Sequence, residues 1–247
     1  MRAQPFANCL LLGLVLFVLA TPGFAQDDAR PRKAKKSRPL TEYMGREIAM
    51  TMHYAGAEWL IRNEREREER CSLLLDNLGL KTGMTVCDMG CGNGFYALPI
   101  AKLLGPRGRV LAVDIQPEML FLLRERMELE GIRNITPILG SVDDPYLPEQ
   151  TVDLAILVDV YHEFGFPEQM LAALRKSLKP NGRIVLVEFR AEDDDVPIKP
   201  EHKMTKRQVN RELAANGFKI AAEFEELPWQ HVMFYEADPD WQPKEDR

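Results

Sequence analysis

The stretch "VCDMGCGNGF", residues 86–95, decides how this chain is read. A short apolar run ends in Asp88 and gives way to Gly90, Gly92 and Gly94. Glycines so spaced let the backbone turn tightly and let a ligand approach where a side chain would block it. The loop runs into a predicted helix amino terminus, whose free N–H groups attract negative charge. A dinucleotide fingerprint has the form Gly-x-Gly-x-x-Gly; its third glycine would fall at position 95, which is Phe95. A nicotinamide oxidoreductase is therefore a poor match. Twenty residues beyond Gly94, "RVLAVD" closes on Asp114. A carboxylate at the end of a strand can accept hydrogen bonds from both hydroxyls of a ribose; the competing reading is a cap for the helix that Pro117 opens.

Strand-like and helix-like segments alternate on either side of the loop. Helices are expected at 64–78, 95–104 (beginning in earnest near Leu98, because of Pro99), 117–130 and 168–178, with Gly79 and Gly131 as stops. Short apolar strands are expected at 84–88, 109–114, 135–139, 154–158 and 183–189. Thr205 and Gln208 form a capping box for a helix that Asn216-Gly217 ends. Segments 218–226 and 231–237, joined by "LPWQ", are too close for a crossover and pair as an antiparallel hairpin. The fold class is α/β: a doubly wound, mostly parallel seven-stranded sheet with a C-terminal antiparallel hairpin.

At 247 residues, 45% hydrophobic, the chain suits one core. Residues 1–25 read as a cleavable signal peptide: Arg2 leads, residues 9–20 carry no charge, and Gly23 and Ala25 are small. Twelve apolar residues fall short of the roughly 20 that span a bilayer. Export to the periplasm or the cell exterior is the expectation, with a cytoplasmic location if the segment is not used. Residues 26–40 form a basic linker, read as solvated, with weak contact to an anionic surface as the sharper reading. Residues 1–39 hold seven basic and two acidic side chains, so a net charge of −6 leaves the body at −11, a poor partner for nucleic acid. Residues 41–63, with Tyr43, Met44, Met50, Met52, Tyr54 and Trp59, are expected to form a helical lid segment or, more simply, to pack into the core. Cys71, Cys87 and Cys91 are too few for a disulfide framework; Cys87 and Cys91 have zinc-like spacing, but no further ligand completes a site, and no metal is expected.

With "VCDMGCGNGF", "VLAVDIQPEML", "DLAILVDVYHEF", "LKPNGRIVLVEF" and the closing hairpin in place, the chain resembles the class I S-adenosylmethionine-dependent methyltransferases over about residues 64–237. The resemblance implies a Rossmann-like methyltransferase domain over 64–247, with S-adenosyl-L-methionine as cofactor. Asp88, Gly90, Gly92 and Gly94 would hold its methionine end and Asp114 its ribose. Similar enzymes often carry Gly-Asp-Ala after the third strand. Here the run is Gly140-Ser141-Val142-Asp143, so the adenine contact passes to Asp143 or is weakened. Asp159, closing the strand at 154–158, would also lie beside the cofactor.

Methyl transfer from a sulfonium is an in-line displacement, and a base is required only when the nucleophile arrives protonated. His162 is the candidate base and Glu163 the second, against helix capping for Glu163. Tyr161 is a candidate for substrate contact, or packs its ring. In the loop after the last parallel strand, Lys199, His202 and Lys203 are candidates for an anionic substrate, or are merely solvated. The Pro-Pro-aromatic run of DNA amino methyltransferases is absent. The expected function is methyl transfer to a small molecule; the alternative is a non-catalytic exported protein that keeps the fold and binds a nucleoside, because the cofactor is made in the cytosol.

Overall fold

A computed structural model describes residues 38–243, so the signal peptide and nearly all of the basic linker lie outside the described residues. Strands β1 (Glu42–Tyr43) and β2 (Arg46–Glu47) open it as a hairpin. Its turn residues, Met44 at φ 48° and Gly45 at φ 85°, take the left-handed conformation a two-residue loop requires. A 3-10 helix covers Tyr54–Ile61. There follow α1 (Arg65–Glu69), α2 (Cys71–Asn77), β3 (Thr85–Met89), α3 (Ala97–Leu104), β4 (Arg109–Asp114), α4 (Pro117–Glu130), β5 (Ile135–Leu139) and β6 (Val152–Val158). Then come α5 (Pro167–Ser177), β7 (Leu178–Arg190), β8 (Lys203–Met204), α6 (Lys206–Ala215), β9 (Phe218–Phe224) and β10 (Gln230–Ala237).

The sheet order is β5-β4-β3-β6-β7-β10-β9. The first five strands are parallel, and β10 runs antiparallel to both β7 and β9. Beyond the expected seven strands, β8 adds a two-residue parallel pairing at Phe189 and Arg190. Side chains alternate across the sheet: Val86, Val110 and Leu154 pack with α2, α3 and α4, whereas Cys87, Leu111 and Ala155 pack with α5 and α6. The chain winds outward from β3 through β4 to β5, then returns to β6 on the other side of β3. Ligands of open α/β sheets bind at such a reversal, outside the carboxyl ends of the strands. Cys71, Cys87 and Cys91 are free and buried.

Three expectations change. The helix over 64–78 is broken at Arg70, which sits at φ 50°. The break follows from Glu69, which is fully buried and paired with Arg62 at 2.7 Å and Arg65 at 2.8 Å; turning the chain there leaves Cys71, Leu74 and Leu78 facing the core. Segment 41–63 is no continuous helix, and its apolar side chains divide: Tyr43, Ala49 and Ala57 are buried, whereas others face solvent. Met50 is 88% exposed and Trp59 41%, because the segment is strapped across the sheet's carboxyl edge. Leu40 N donates to Gly165 O, Ala49 N to His162 O, and Tyr54 N to Gln116 Oε1. The capping box is half made. Thr205 accepts from Gln208 N, but the Gln208 amide donates to Met44 O and Glu212 Oε1 instead of reaching back.

Glu212 anchors the strap. Its buried carboxylate accepts from Arg46 Nε at 2.7 Å, Arg46 Nη2 at 3.1 Å and Tyr161 OH at 2.7 Å. Removing one partner of a buried ion pair strands the other charge and costs about 3–5 kcal/mol. Glu212→Ala should therefore lower the free energy of urea unfolding by about that much. A loss below about 1 kcal/mol would show that the hairpin is held by other contacts.

Candidate active site

The loop after β3 lies at the reversal point. Gly90 (φ 68°) and Gly92 (φ 52°) line a cavity of about 780 Å³. A Cβ on Gly90 would come within 2.4 Å of Val160 Cγ2, and one on Gly92 within 2.7 Å of Leu60 Cδ1. Gly94 does not line the cavity. A Cβ there would meet Leu123 Cδ1 at 2.4 Å, so this glycine allows the close packing of α4. Asp114 ties the loop down: Oδ2 accepts from Gly92 N at 2.9 Å and Oδ1 from Gln116 N at 2.8 Å. Burial raises its pKa, with those two N–H groups pulling the other way, and the carboxylate also lines the cavity.

Asp88 lies beneath the loop and does not line the cavity. Burial pushes its carboxyl up to about 7, with Asp114 adding to the rise. Asp159, at φ 52°, does reach the wall; its Oδ2 accepts from Gln230 Nε2 at 2.8 Å. Burial, then Glu69 and Glu188, hold it well above the usual carboxylate range. Among the described residues, Asp88 Oδ2 and Asp159 Oδ1 are buried with no hydrogen-bond partner. Such oxygens call for a donor. An amino acid-bearing nucleoside fits: an ammonium for Asp159, ribose hydroxyls for Asp114, and close approach of the backbone at Gly90 and Gly92. These are the parts of S-adenosylmethionine.

Asp143 is displaced from its expected place. Ser141 and Val142 line the cavity, whereas Asp143 is exposed, its Oδ1 accepting from Ser141 Oγ at 2.7 Å. The tight turn in which Ser141 N donates to Asp144 O directs both carboxylates outward.

The 3-10 turn Tyr161–Glu163 follows Asp159 and Val160. Tyr161 is fully buried away from the cavity, its hydroxyl on Glu212, so it is a packing residue. His162 and Glu163 do line the cavity. His162 Nδ1 donates to Glu188 Oε2 at 2.6 Å, and its Nε2 lies 3.0 Å from His202 Nδ1. Burial lowers the His162 pKa, but Glu188 outweighs it and the net shift is upward; His202 moves down, from burial and then the charge of His162. Glu163 accepts from Met52 N at 3.3 Å, and burial raises it to about 7 against the pull of His162. Lys199 and His202 line the cavity, but Lys203 is turned away, donating to Asp193 O at 3.1 Å.

Several residues of the site were absent from the sequence reading. Glu188 orients His162 from within the apolar run of β7, where a carboxylate has no packing role; that mismatch is the signal that could have found it. Arg65 lines the cavity and holds Glu69, and Gln116 ties the strap to Asp114 by donating to Met52 O. Neither stands out in sequence.

A family model described as a methyltransferase domain matches residues 80–237. The ubiquinone/menaquinone biosynthesis C-methyltransferase UbiE of Pasteurella multocida is 28% identical over 116 residues, 47% of this chain and 43% of that protein. The fibrillarin-like rRNA/tRNA 2′-O-methyltransferase of Thermococcus sibiricus is 29% identical over 196 residues, 76% of this chain and 82% of its own length. The chain spans about half the length of the curated relatives it first matches. A SAM dependent methyltransferase from Aquifex aeolicus has a solved structure that superposes with a TM-score of 0.71 at 26% identity, covering 75% of this chain and 98% of that one. The family match over most of the described chain, the shared fold, and buried acids placed to receive an amino acid nucleoside agree: this chain belongs to the class I S-adenosylmethionine-dependent methyltransferases.

Proposed function

We propose that this protein methylates a small, largely apolar molecule that carries an acidic O–H or S–H group. One observation carries the reading: a single cavity gathers the cofactor-side residues Gly90, Gly92, Asp114 and Asp159 together with His162, Glu163, Lys199 and His202. Met50, Met52, Trp59 and Phe164 give it apolar walls. Pockets of this size and character hold small molecules. The UbiE relative is named for quinone biosynthesis, which accords with an apolar acceptor. The fibrillarin-like relative is named for RNA, but a body of net charge −11 argues against that substrate here.

Bound S-adenosylmethionine supplies an electrophilic methyl group to a nucleophile held in line with it. This chain's own residues do the holding: Asp114 and Asp159 fix the donor side, the strap excludes water, and Lys199 attracts a developing anion. The acceptor's proton is drawn off at the His162–Glu163–His202 cluster. The uncharged run at residues 9–20 supports export, and with it the rival reading of a nucleoside-binding protein that transfers nothing.

Calorimetric titration with S-adenosylmethionine and S-adenosylhomocysteine tests the cofactor site. Saturable binding is expected, and Asp114→Ala should weaken it by about 10- to 100-fold, the worth of hydrogen bonds to a charged acceptor. Unchanged affinity in a variant that melts normally would remove Asp114 from the site. Binding without transfer across a panel of phenols and thiols would favour the non-catalytic reading.

Asp88 gives a pH test. Its folded pKa, about 7, lies above the ordinary carboxylate value, so the folded state holds the proton more tightly than the unfolded chain. That stability is present below about pH 4 and is lost as pH rises through about 7. Asp88→Asn cannot ionise. Its melting temperature should gain on the wild type between about pH 4 and pH 8. A difference in melting temperature that stays flat with pH would contradict the raised carboxyl.

A further inference from the structure

His162, Glu163 and His202 each offer a ligand atom, and the three atoms lie within 4.8 Å of one another. His162 Nε2 and His202 Nδ1 are 3.0 Å apart, with the rings at 89°. An ion about 2.1 Å from two imidazole nitrogens in neighbouring positions separates them by roughly 3.0–3.4 Å, so this pair can share one with little movement. The other nitrogen of His162 is committed: Nδ1 donates to Glu188 Oε2, while Glu188 Oε1 accepts from Tyr161 N at 3.0 Å. A carboxylate behind the far ring nitrogen is the arrangement that fixes the tautomer of a metal-binding histidine and turns its Nε2 lone pair outward. Glu188 is 1% exposed and Asp159 stands close enough to feel its charge, so the wall around the cluster is rich in buried carboxylates. Lys199 lines the cavity nearby as an opposing charge.

We propose that His162, Glu163 and His202 bind one divalent transition-metal ion, of the zinc or cobalt(II) class, with Glu188 as the positioning residue behind His162. Two imidazoles and a carboxylate suit first-row ions that accept nitrogen and oxygen ligands. Three protein ligands leave a coordination position open, and that position faces the cavity, where it takes the acceptor's oxygen or sulfur. The acceptor's X–H bond breaks as X binds the ion, and the proton leaves to water; the metal–acceptor unit loses one positive charge with it. This inference rests on the cavity being the acceptor site and changes the histidines' part in it: they serve as ligands, and the ion lowers the acceptor's pKa.

The test uses the full chain without a histidine tag, stripped by a chelator and then titrated with Co²⁺, followed by visible absorption, and with Zn²⁺, followed by calorimetry. A single saturable equivalent is expected, with a cobalt band typical of low coordination number. His202→Ala, at the end of the short 3-10 turn Pro200–His202, should weaken zinc binding by at least about tenfold. Glu188→Gln should weaken it by about 10- to 100-fold and shift the cobalt band, which a purely structural role would not do. Absence of saturable binding by folded protein, or binding that survives His202→Ala, overturns the site. S-adenosylmethionine titrated into the stripped protein separates the two proposals. Cofactor binding without metal binding rejects the ion and leaves the methyl-transfer reading intact, whereas metal binding without cofactor binding supports the ion and undermines that reading.

Discussion

Buried carboxylates around the carboxyl edge of the sheet dictate most of what this structure does. Glu69, Asp88, Asp114, Glu188 and Glu212 are all removed from water, and the carboxylate of Asp159 joins them. An isolated buried charge costs several kcal/mol unless it is paired, so each carboxylate determines where some other piece of chain must lie. Glu212 draws Arg46 inward and with it the hairpin of β1 and β2. Glu69 collects Arg62 and Arg65, and the helix breaks to allow it. Asp114 takes two backbone N–H groups and thereby sets the glycine loop against the start of α4. Glu188 takes one backbone N–H and one imidazole, which fixes the His162 ring.

The accounting is complete at some of these acids and incomplete at others, and the division marks the site. Glu69 is satisfied by Arg62 and Arg65, and Glu212 by Arg46, Tyr161 and Gln208; both serve architecture. Asp88 and Asp159 each keep an oxygen without a partner, and both carboxyls are raised by burial. A fold that tolerates such groups gives up stability for readiness to bind a donor. The hydrophobic layers on both faces supply what is given up.

The sheet, its winding and the glycine loop were legible in the sequence because periodicity and glycine spacing report directly on backbone. The direction of individual side chains at strand ends was not. A 3-10 turn rotates about 120° per residue, so Tyr161 goes to the core while His162 and Glu163 reach the cavity. Nothing in the order Tyr-His-Glu says which will be which. The same holds for His202 and Lys203, adjacent residues that face His162 and Asp193 respectively. Gly94 and Asp143 sit on the expected segments but face away, one serving helix packing and the other a surface turn. Segment 41–63 was opaque because its course depends on ion pairs and hydrogen bonds with residues more than a hundred positions away, such as Glu212, His162 and Glu163.

That segment lies outside the part of the chain that the family model matches. The family match begins at residue 80, and the cofactor-side residues Gly90, Gly92, Asp114 and Asp159 all fall inside it. Much of the remaining wall, including Ala49, Met50, Met52 and Trp59, comes from residues before it. The two parts are not independent: Gln116, which accepts from Tyr54 N and donates to Met52 O, also donates its own backbone N–H to Asp114. One side chain therefore links the strap to Asp114. The cofactor-side residues thus belong to the matched domain, while much of the opposite wall comes from residues outside it.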